Sequence, residues 1–268
     1  MVNENFDIYK KMIDDRLSSI YKDGPSLIKD PINYVIKGGK RLRPILCMLT
    51  NEACHGKLED ALSTAVSIEL LHIFSLIHDD IMDDDCMRHG TETMHNKWNI
   101  SIGILSGDAI LALAFKELNA SSNLIKEKFN SGLIAVCEGQ ALDLEYEKKD
   151  FISLDDYFEM INLKTSHMLG LSAELGSLVT NSSIEISESL RKFGLLIGKA
   201  FQVQDDLLEV VSSSEIMGKT LLSDIVLNKK TYLFIKANED YPNELNKIYK
   251  KNKNNENNLN SEIRTFLY

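Results

Sequence analysis

Four prolines and fourteen glycines are all the backbone punctuation that 268 residues carry, where average usage of the two, about 12% together, would place roughly 32. A β-sandwich or small barrel needs a dedicated turn every ten residues or so, and this chain lacks the residues to build them. Hydrophobic residues make up 44%, ample for a core, so global disorder is excluded. The length fits one large domain or two small ones. A turn-poor, apolar-rich chain is expected to be helical.

The apolar spacing agrees. Leu62, Ala65, Val66, Leu70, Ile73 and Ile77 keep the three-and-four rhythm of a buried helix face, and Ile68, Leu71, Phe74 and Leu76 fill the other sides. A helix greasy nearly all round belongs at the centre of a bundle. Similar stretches cover 100–117, 130–146, 154–178, 184–212 and 231–238. At a mean helix length near 11–12 residues, about ten helices and no sheet are expected. No repeat or linker interrupts the chain before residue 240. Residues 243–260 then hold eight Asn and four Lys, a composition with little apolar surface to bury. The expectation is one all-helical domain over 1–240 and an Asn/Lys-rich tail over 241–268, solvated and at most partly ordered.

Thirty Lys and Arg against 40 Asp and Glu leave a net charge of −10, which argues against nucleic acid or an anionic membrane as main partner. Cys47, Cys54, Cys86 and Cys137 are scattered with no C-x-x-C pair, and Met1 opens no secretory leader. Reduced thiols in a cytoplasmic protein are the plain reading. The apolar stretch from Ile100 to Phe115 is cut by Gly107-Asp108 and is too short to span a bilayer, so no stable membrane insertion is expected.

Two acidic runs carry the chemistry. In the first, Asp79, Asp80, Asp83, Asp84 and Asp85 follow an apolar helix. Like charges four residues apart repel on a helix, so Asp79 and Asp83 destabilise it unless a cation lies between them. Hard oxygen ligands of this kind suit magnesium, which shares its shell between carboxylates, water and substrate phosphates. The second run lies inside another apolar helix, where Gln202, Asp205 and Glu209 form one stripe and Asp206 sits beside them. In each run a further carboxylate stands four residues after the first Asp. Facing helices of a bundle can close such a pair of runs around metal ions. Cations accompany both: Lys40 and Arg43 in the run Gly38-Gly39-Lys40-Arg41-Leu42-Arg43-Pro44, then Arg88, Lys164 with Thr165, Lys219 and Lys229. Arginine suits bidentate phosphate contact, and together these residues imply a diphosphate ligand.

In this order the motifs resemble those of the trans-isoprenyl (polyprenyl) diphosphate synthases. Residues 38–44 resemble the family's G-G-K-R-x-R-P, and Asp79-Asp80-Ile81-Met82-Asp83 its first D-D-x-x-D. Gly139-Gln140-Ala141-Leu142-Asp143-Leu144 resembles G-Q-x-x-D-L, Lys164-Thr165 resembles K-T, and Phe201 to Glu209 resembles F-Q-x-x-D-D-x-x-D. Gly107-Asp108 and Gly218-Lys219 to Asp224 also fall in order, and the match runs from about residue 30 to 236. The resemblance implies an all-α, single-domain bundle of the isoprenoid synthase type with a deep central cavity, usually in a homodimer.

It also implies roles. Asp79, Asp83 and Asp205 would bind Mg2+, with Asp80, Asp206 and Glu209 supporting. Arg88, Lys164, Thr165, Gln202, Lys219 and Lys229 would hold an allylic diphosphate, while Lys40, Arg43, His72 and His89 would hold isopentenyl diphosphate. Three departures stand out: His89 replaces an arginine of the family's Arg-Arg-Gly, Glu209 replaces the last aspartate of the second motif, and the C-terminal region is short and Asn/Lys-rich where the family usually continues in helices. Ionisation of the allylic C–O bond, attack by the isopentenyl double bond and loss of a proton would follow, with no protein nucleophile. Phe74, five residues before Asp79, resembles the chain-length floor of short-product enzymes. A fifteen- or twenty-carbon product is expected, geranylgeranyl diphosphate favoured. A non-catalytic subunit of a heteromeric synthase and a class I terpene cyclase are the alternatives; Glu209, where a cyclase needs Ser or Thr, speaks against the latter.

Overall fold

A computed structural model describes residues 2–88, 90–211, 229–252 and 256–267 of the protein. Among them run thirteen α-helices: α1 (Val2–Ser18), α2 (Ser26–Val35), α3 (Leu42–Ala53), α4 (Leu58–Met82), α5 (Met94–Lys97), α6 (Ile100–Glu117), α7 (Asn123–Glu147), α8 (Leu154–Ile161), α9 (His167–Val179), α10 (Ile184–Val211), α11 (Tyr232–Asp240), α12 (Pro242–Lys251) and α13 (Glu256–Leu267). One turn of π-helix, Asn162–Ser166, joins α8 to α9. The architecture is all-α, as the scarcity of turn residues requires.

The core is built around α4, where Ala65, Val66, Ile68, Leu70 and Leu71 have no exposure at all. It packs against α1, α3, α6 and α9, while α10 lies along α9. By length and a mean hydropathy of 1.5, α4 could cross a bilayer, but 61% of that window is buried inside the fold. A helix surrounded on every side needs apolar residues on every side. Local signals set the starts of its neighbours. Asn99 Oδ1 accepts from Ile102 N at 2.9 Å to cap α6, and Ser153 and Asp156 form a reciprocal capping box on α8.

Two features depart from the sequence-based expectation. A two-residue hairpin, β1 (Met87–Arg88) against β2 (Thr91–Glu92), is antiparallel with Arg88 opposite Thr91. Its turn contains Gly90 at φ 77°, a left-handed conformation that glycine adopts without steric cost. The second is the C-terminal region, where composition predicts a solvated tail. The chain instead forms α12 and α13, with Leu245 at 2% and Ile263 at 0% exposure. Lys251 and Asn252 both donate to Glu262, at 2.6 and 3.0 Å. Burying each aliphatic side chain contributes about 1.5–3 kcal/mol. Few apolar residues suffice when Leu245 and Ile248 on α12, and Leu259 and Ile263 on α13, fall at helical spacing.

Candidate active site

The first acidic run closes α4, where the Asp83 amide caps the helix on Asp79 O at 2.9 Å. Three cations from other elements converge there. Lys164, on the π turn, donates to Asp79 Oδ1 at 3.0 Å and to Asp143 Oδ2 of α7 at 2.6 Å. Lys229, just before α11, donates to Asp83 Oδ2 at 2.6 Å and to Asp143 Oδ2 at 3.3 Å, with Glu147 Oε1 3.8 Å away. The hairpin turns Arg88 back onto α4, where its Nε donates to Asp80 Oδ1 and its outer nitrogen lies 3.7 Å from Asp79 Oδ2.

Burial and charge compete in this cluster. Burial pushes the Asp79 carboxyl up, but Lys164, Lys229 and Arg88 together outweigh it and hold it below the usual carboxylate range. Asp83 goes the other way, raised by burial and by the Asp79 charge beyond what Lys229 recovers. Burial takes Asp80 up to about 7 despite its Arg88 partner. Lys164 and Lys229 are themselves raised, because the surrounding aspartates outweigh burial. Both lysines are therefore charged. The site alternates carboxylates and cations around one point, an arrangement that can take a polyanion together with divalent ions.

The aim of Lys164 depends on an unusual local backbone. A Cβ at position 139 of α7 would overlap the backbone of Lys164, and one at 198 of α10 would overlap Ser166. Glycine at both positions lets α7 and α10 press close on the π turn. Such π turns are frequent at functional sites because they re-aim side chains within a helix. Next along the turn, Thr165 Oγ1 donates to Gln202 Oε1 at 2.8 Å. Gln202 Nε2 donates to Asp206 Oδ1 at 2.9 Å. Asp206 Oδ2 accepts from Tyr157 OH at 2.7 Å and from Tyr232 N at 2.9 Å. Asp206 is buried at 5% exposure, and both its oxygens are engaged by protein donors. Through Gln202 it is tied to Thr165 and the π turn.

The glycine-rich run enters α3. Arg43 lies against His72 of α4, with 3.2 Å between guanidinium and imidazole nitrogens. Arg43 Nε is buried with no hydrogen-bond partner. Burial lowers the Arg43 pKa, opposed by the charges of Glu69 and Asp205, so α3 and the second acidic run share one electrostatic neighbourhood. Lys40 is exposed in the preceding loop. Phe74 is partly buried, its ring edge-on to His78 with centroids 4.5 Å apart, and His78 packs beside Gly107 of α6.

The geometry thus gathers Asp79, Asp80, Asp83, Arg88, Lys164 and Lys229 at one point, joins Thr165, Gln202 and Asp206 in a chain, and pairs Arg43 with His72. Asp205 is partly buried. His89, Lys219 and the side chain of Glu209 lie outside the described residues. Two contributors were not singled out by sequence, Glu147 and Tyr157, while Asp143 was named within its motif but given no role. For Asp143 a signal existed, since it continues the buried stripe Gly132, Val136, Gly139 along α7, where a carboxylate demands a partner.

Magnesium suits the oxygen donors here. Asp83 Oδ1 is buried without a hydrogen-bond partner, and Arg88 lies 3.7 Å from Asp79 Oδ2. Among the described residues no three His, Cys, Asp or Glu side chains enclose a point as a protein cage would. Magnesium commonly takes one or two carboxylates and completes its shell with water and phosphate oxygens. Asp79 and Asp83 fit that description.

Comparison with known proteins agrees with this geometry. A sequence model of the polyprenyl synthetase family matches residues 25–266. The chain is 37% identical over 238 residues to the short chain isoprenyl diphosphate synthase of Methanothermobacter thermautotrophicus, covering 86% of this chain and 73% of that one. It is 34% identical over 248 residues to the geranylgeranyl pyrophosphate synthase of Geoglobus acetivorans, covering 90% and 77%. The crystal structure of geranylgeranyl pyrophosphate synthetase from Pyrococcus horikoshii superposes with a TM-score of 0.90 at 31% identity, covering 98% of this chain and 84% of that one.

Proposed function

The chain belongs to the polyprenyl synthetase family and is a prenyltransferase that makes short-chain prenyl diphosphates, and on that premise we propose how its residues divide the work. It joins isopentenyl diphosphate head-to-tail to an allylic diphosphate in a magnesium-dependent reaction, with geranylgeranyl diphosphate as product. The observation that carries this reading is the convergence of Lys164, Lys229 and Arg88 on Asp79, Asp80 and Asp83.

In this reading Arg88, Lys164 and Lys229 bind the allylic diphosphate and stabilise the charge that develops as its C–O bond breaks. Asp79, Asp83, Asp205 and Glu209 would hold magnesium, which would supply further charge stabilisation to the leaving diphosphate. Lys219 joins the cations, and Thr165 with Gln202 orients the same group. Arg43 and His72 hold isopentenyl diphosphate at the start of α3, and Lys40 and His89 are assigned to the same ligand. The buried, unpartnered Arg43 Nε supports an anion there. The apolar residues of α4 exclude water from the allylic cation. Phe74, backed by His78, limits the growing chain.

Assembly and location complete the proposal. Ile100, Ile104, Leu105 and Phe115 of α6, with Leu124 and Ile134 of α7, are exposed. Apolar side chains in such number on adjoining helices support a homodimer through this face. Four free thiols support a cytoplasmic protein, with neither nucleic acid nor a membrane as stable partner. Incubating purified protein with magnesium, labelled isopentenyl diphosphate and each allylic starter in turn tests the reading. Magnesium-dependent chains ending at twenty carbons are expected. Failure to elongate any starter would overturn it.

A further inference from the structure

Within the glycine-rich run, the residue between the two assigned to isopentenyl diphosphate has its own arrangement. Arg41 lies immediately before α3 in the left-handed conformation, φ 55° and ψ 31°. For a residue with a Cβ this conformation costs about 1–2 kcal/mol and persists only where the surroundings over-determine it. The surroundings do so here. The Arg41 side chain is 3% exposed, and its guanidinium is anchored to three elements at once. Nε donates to Asp14 Oδ1 of α1 at 2.9 Å, one outer nitrogen to Glu69 Oε1 of α4 at 2.7 Å, and the other to the Ile36 carbonyl at the end of α2.

Glu69 lies one turn before His72 on α4, and His72 meets Arg43 at 3.2 Å. The first turn of α3 is therefore clamped to α4 at two points, by Arg41 on Glu69 and by Arg43 on His72. We propose that Arg41 is a positioning residue for the isopentenyl diphosphate subsite, and that Asp14 sets its geometry from outside the site. The left-handed residue turns the chain so that Lys40 and Arg43, on either side, reach one ligand. Without its anchors Arg41 relaxes to negative φ, and the two flanking cations lose their common aim.

The inference rests on the assignment of Lys40 and Arg43 made above, and its test separates the two. Asp14 contacts Arg41 and is 41% exposed, so replacing it leaves the core intact. Asp14→Ala is expected to raise KM for isopentenyl diphosphate about fivefold to tenfold, the loss of one hydrogen bond between charged groups. kcat and KM for the allylic substrate stay within about twofold, and Asp14→Glu recovers most of the loss. Arg41→Gly, which accepts the left-handed backbone without anchors, raises the same KM at least as far. Thermal unfolding of each variant reports its folding. Calorimetric titration of the folded variants with isopentenyl diphosphate reads the subsite without turnover. An active wild type whose isopentenyl diphosphate affinity is unchanged in Asp14→Ala overturns the brace alone. A wild type that neither binds nor elongates isopentenyl diphosphate overturns the functional reading, and the brace falls with it.

Discussion

The two acidic runs have the same look in sequence and different physics in the fold. At the end of α4 the carboxylates are balanced by full charges from distant parts of the chain: Lys164 lies 85 residues from Asp79 and Lys229 lies 146 from Asp83. On α10, Asp206 accepts hydrogen bonds from three donors packed around it, the Tyr157 hydroxyl, the Gln202 amide and the Tyr232 backbone. Charges balanced by charges in a partly open site can exchange partners when an anion and metal ions arrive. A carboxylate that accepts three hydrogen bonds in a buried place cannot leave them without stranding buried donors. The first run is organised for ligand exchange, and Asp206 in the second holds helices in place.

That contrast can be broken by mutation. Asp79→Ala should have the largest effect, about a thousandfold in kcat/KM, as when a principal charge-stabilising group is lost. Its unfolding temperature should move little, because Lys164 keeps Asp143 and Arg88 keeps Asp80. Steady-state kinetics beside a thermal melt checks both halves.

Asp206→Ala should reverse the pattern. Three donors lose their acceptor in a buried place, and denaturant unfolding should show a loss of about 3 kcal/mol. Asp206→Asn should recover part of it.

A pH dependence sharpens the comparison on the helix pair that carries the second run. His167 starts α9, and burial first, then the charge of Arg191, lowers its pKa from 6.5 to about 4. The unfolded chain takes up that proton more readily, so the contribution to stability is complete above pH 6.5 and is lost as pH falls towards 4. With allowance for partial exposure the loss is about 2 kcal/mol. Chemical denaturation across this range should show the slope, and His167→Gln should flatten it.

Tyr157→Phe should have the smallest effect, about 1.5 kcal/mol for one hydrogen bond to a charged acceptor. Activity at low temperature should remain, since Gln202 and the Tyr232 amide still hold Asp206.

Much of the first run was legible in the chain itself. Asp79, Asp80 and Asp83 interrupt a greasy helix, and charge in such a setting calls for cations that the sequence also displays. The partners of Asp206 were not legible. Tyr157 lies 49 residues away and carries no charge to advertise it. The π turn at 162–166 has no sequence period of its own, because α7 and α10 impose it through Gly139 and Gly198. The β1–β2 hairpin is two residues a side, too short for alternation to register, yet it alone returns Arg88 to α4. In α12 and α13 abundant Asn and Lys masked a helical spacing carried by a few apolar residues. Composition reports what a segment mostly is, whereas docking depends on the few side chains that point inward.

The most direct test sets Asp79→Asn beside Asp206→Asn, measuring kcat/KM and unfolding midpoint on the same preparations. The two substitutions remove the same charge from runs of the same appearance. Asp79→Asn should abolish most of the activity and keep the midpoint within a few degrees, while Asp206→Asn should lower the midpoint and keep the larger share of activity. Equal losses of activity at equal stability would contradict the division between an exchanging run and a structural one.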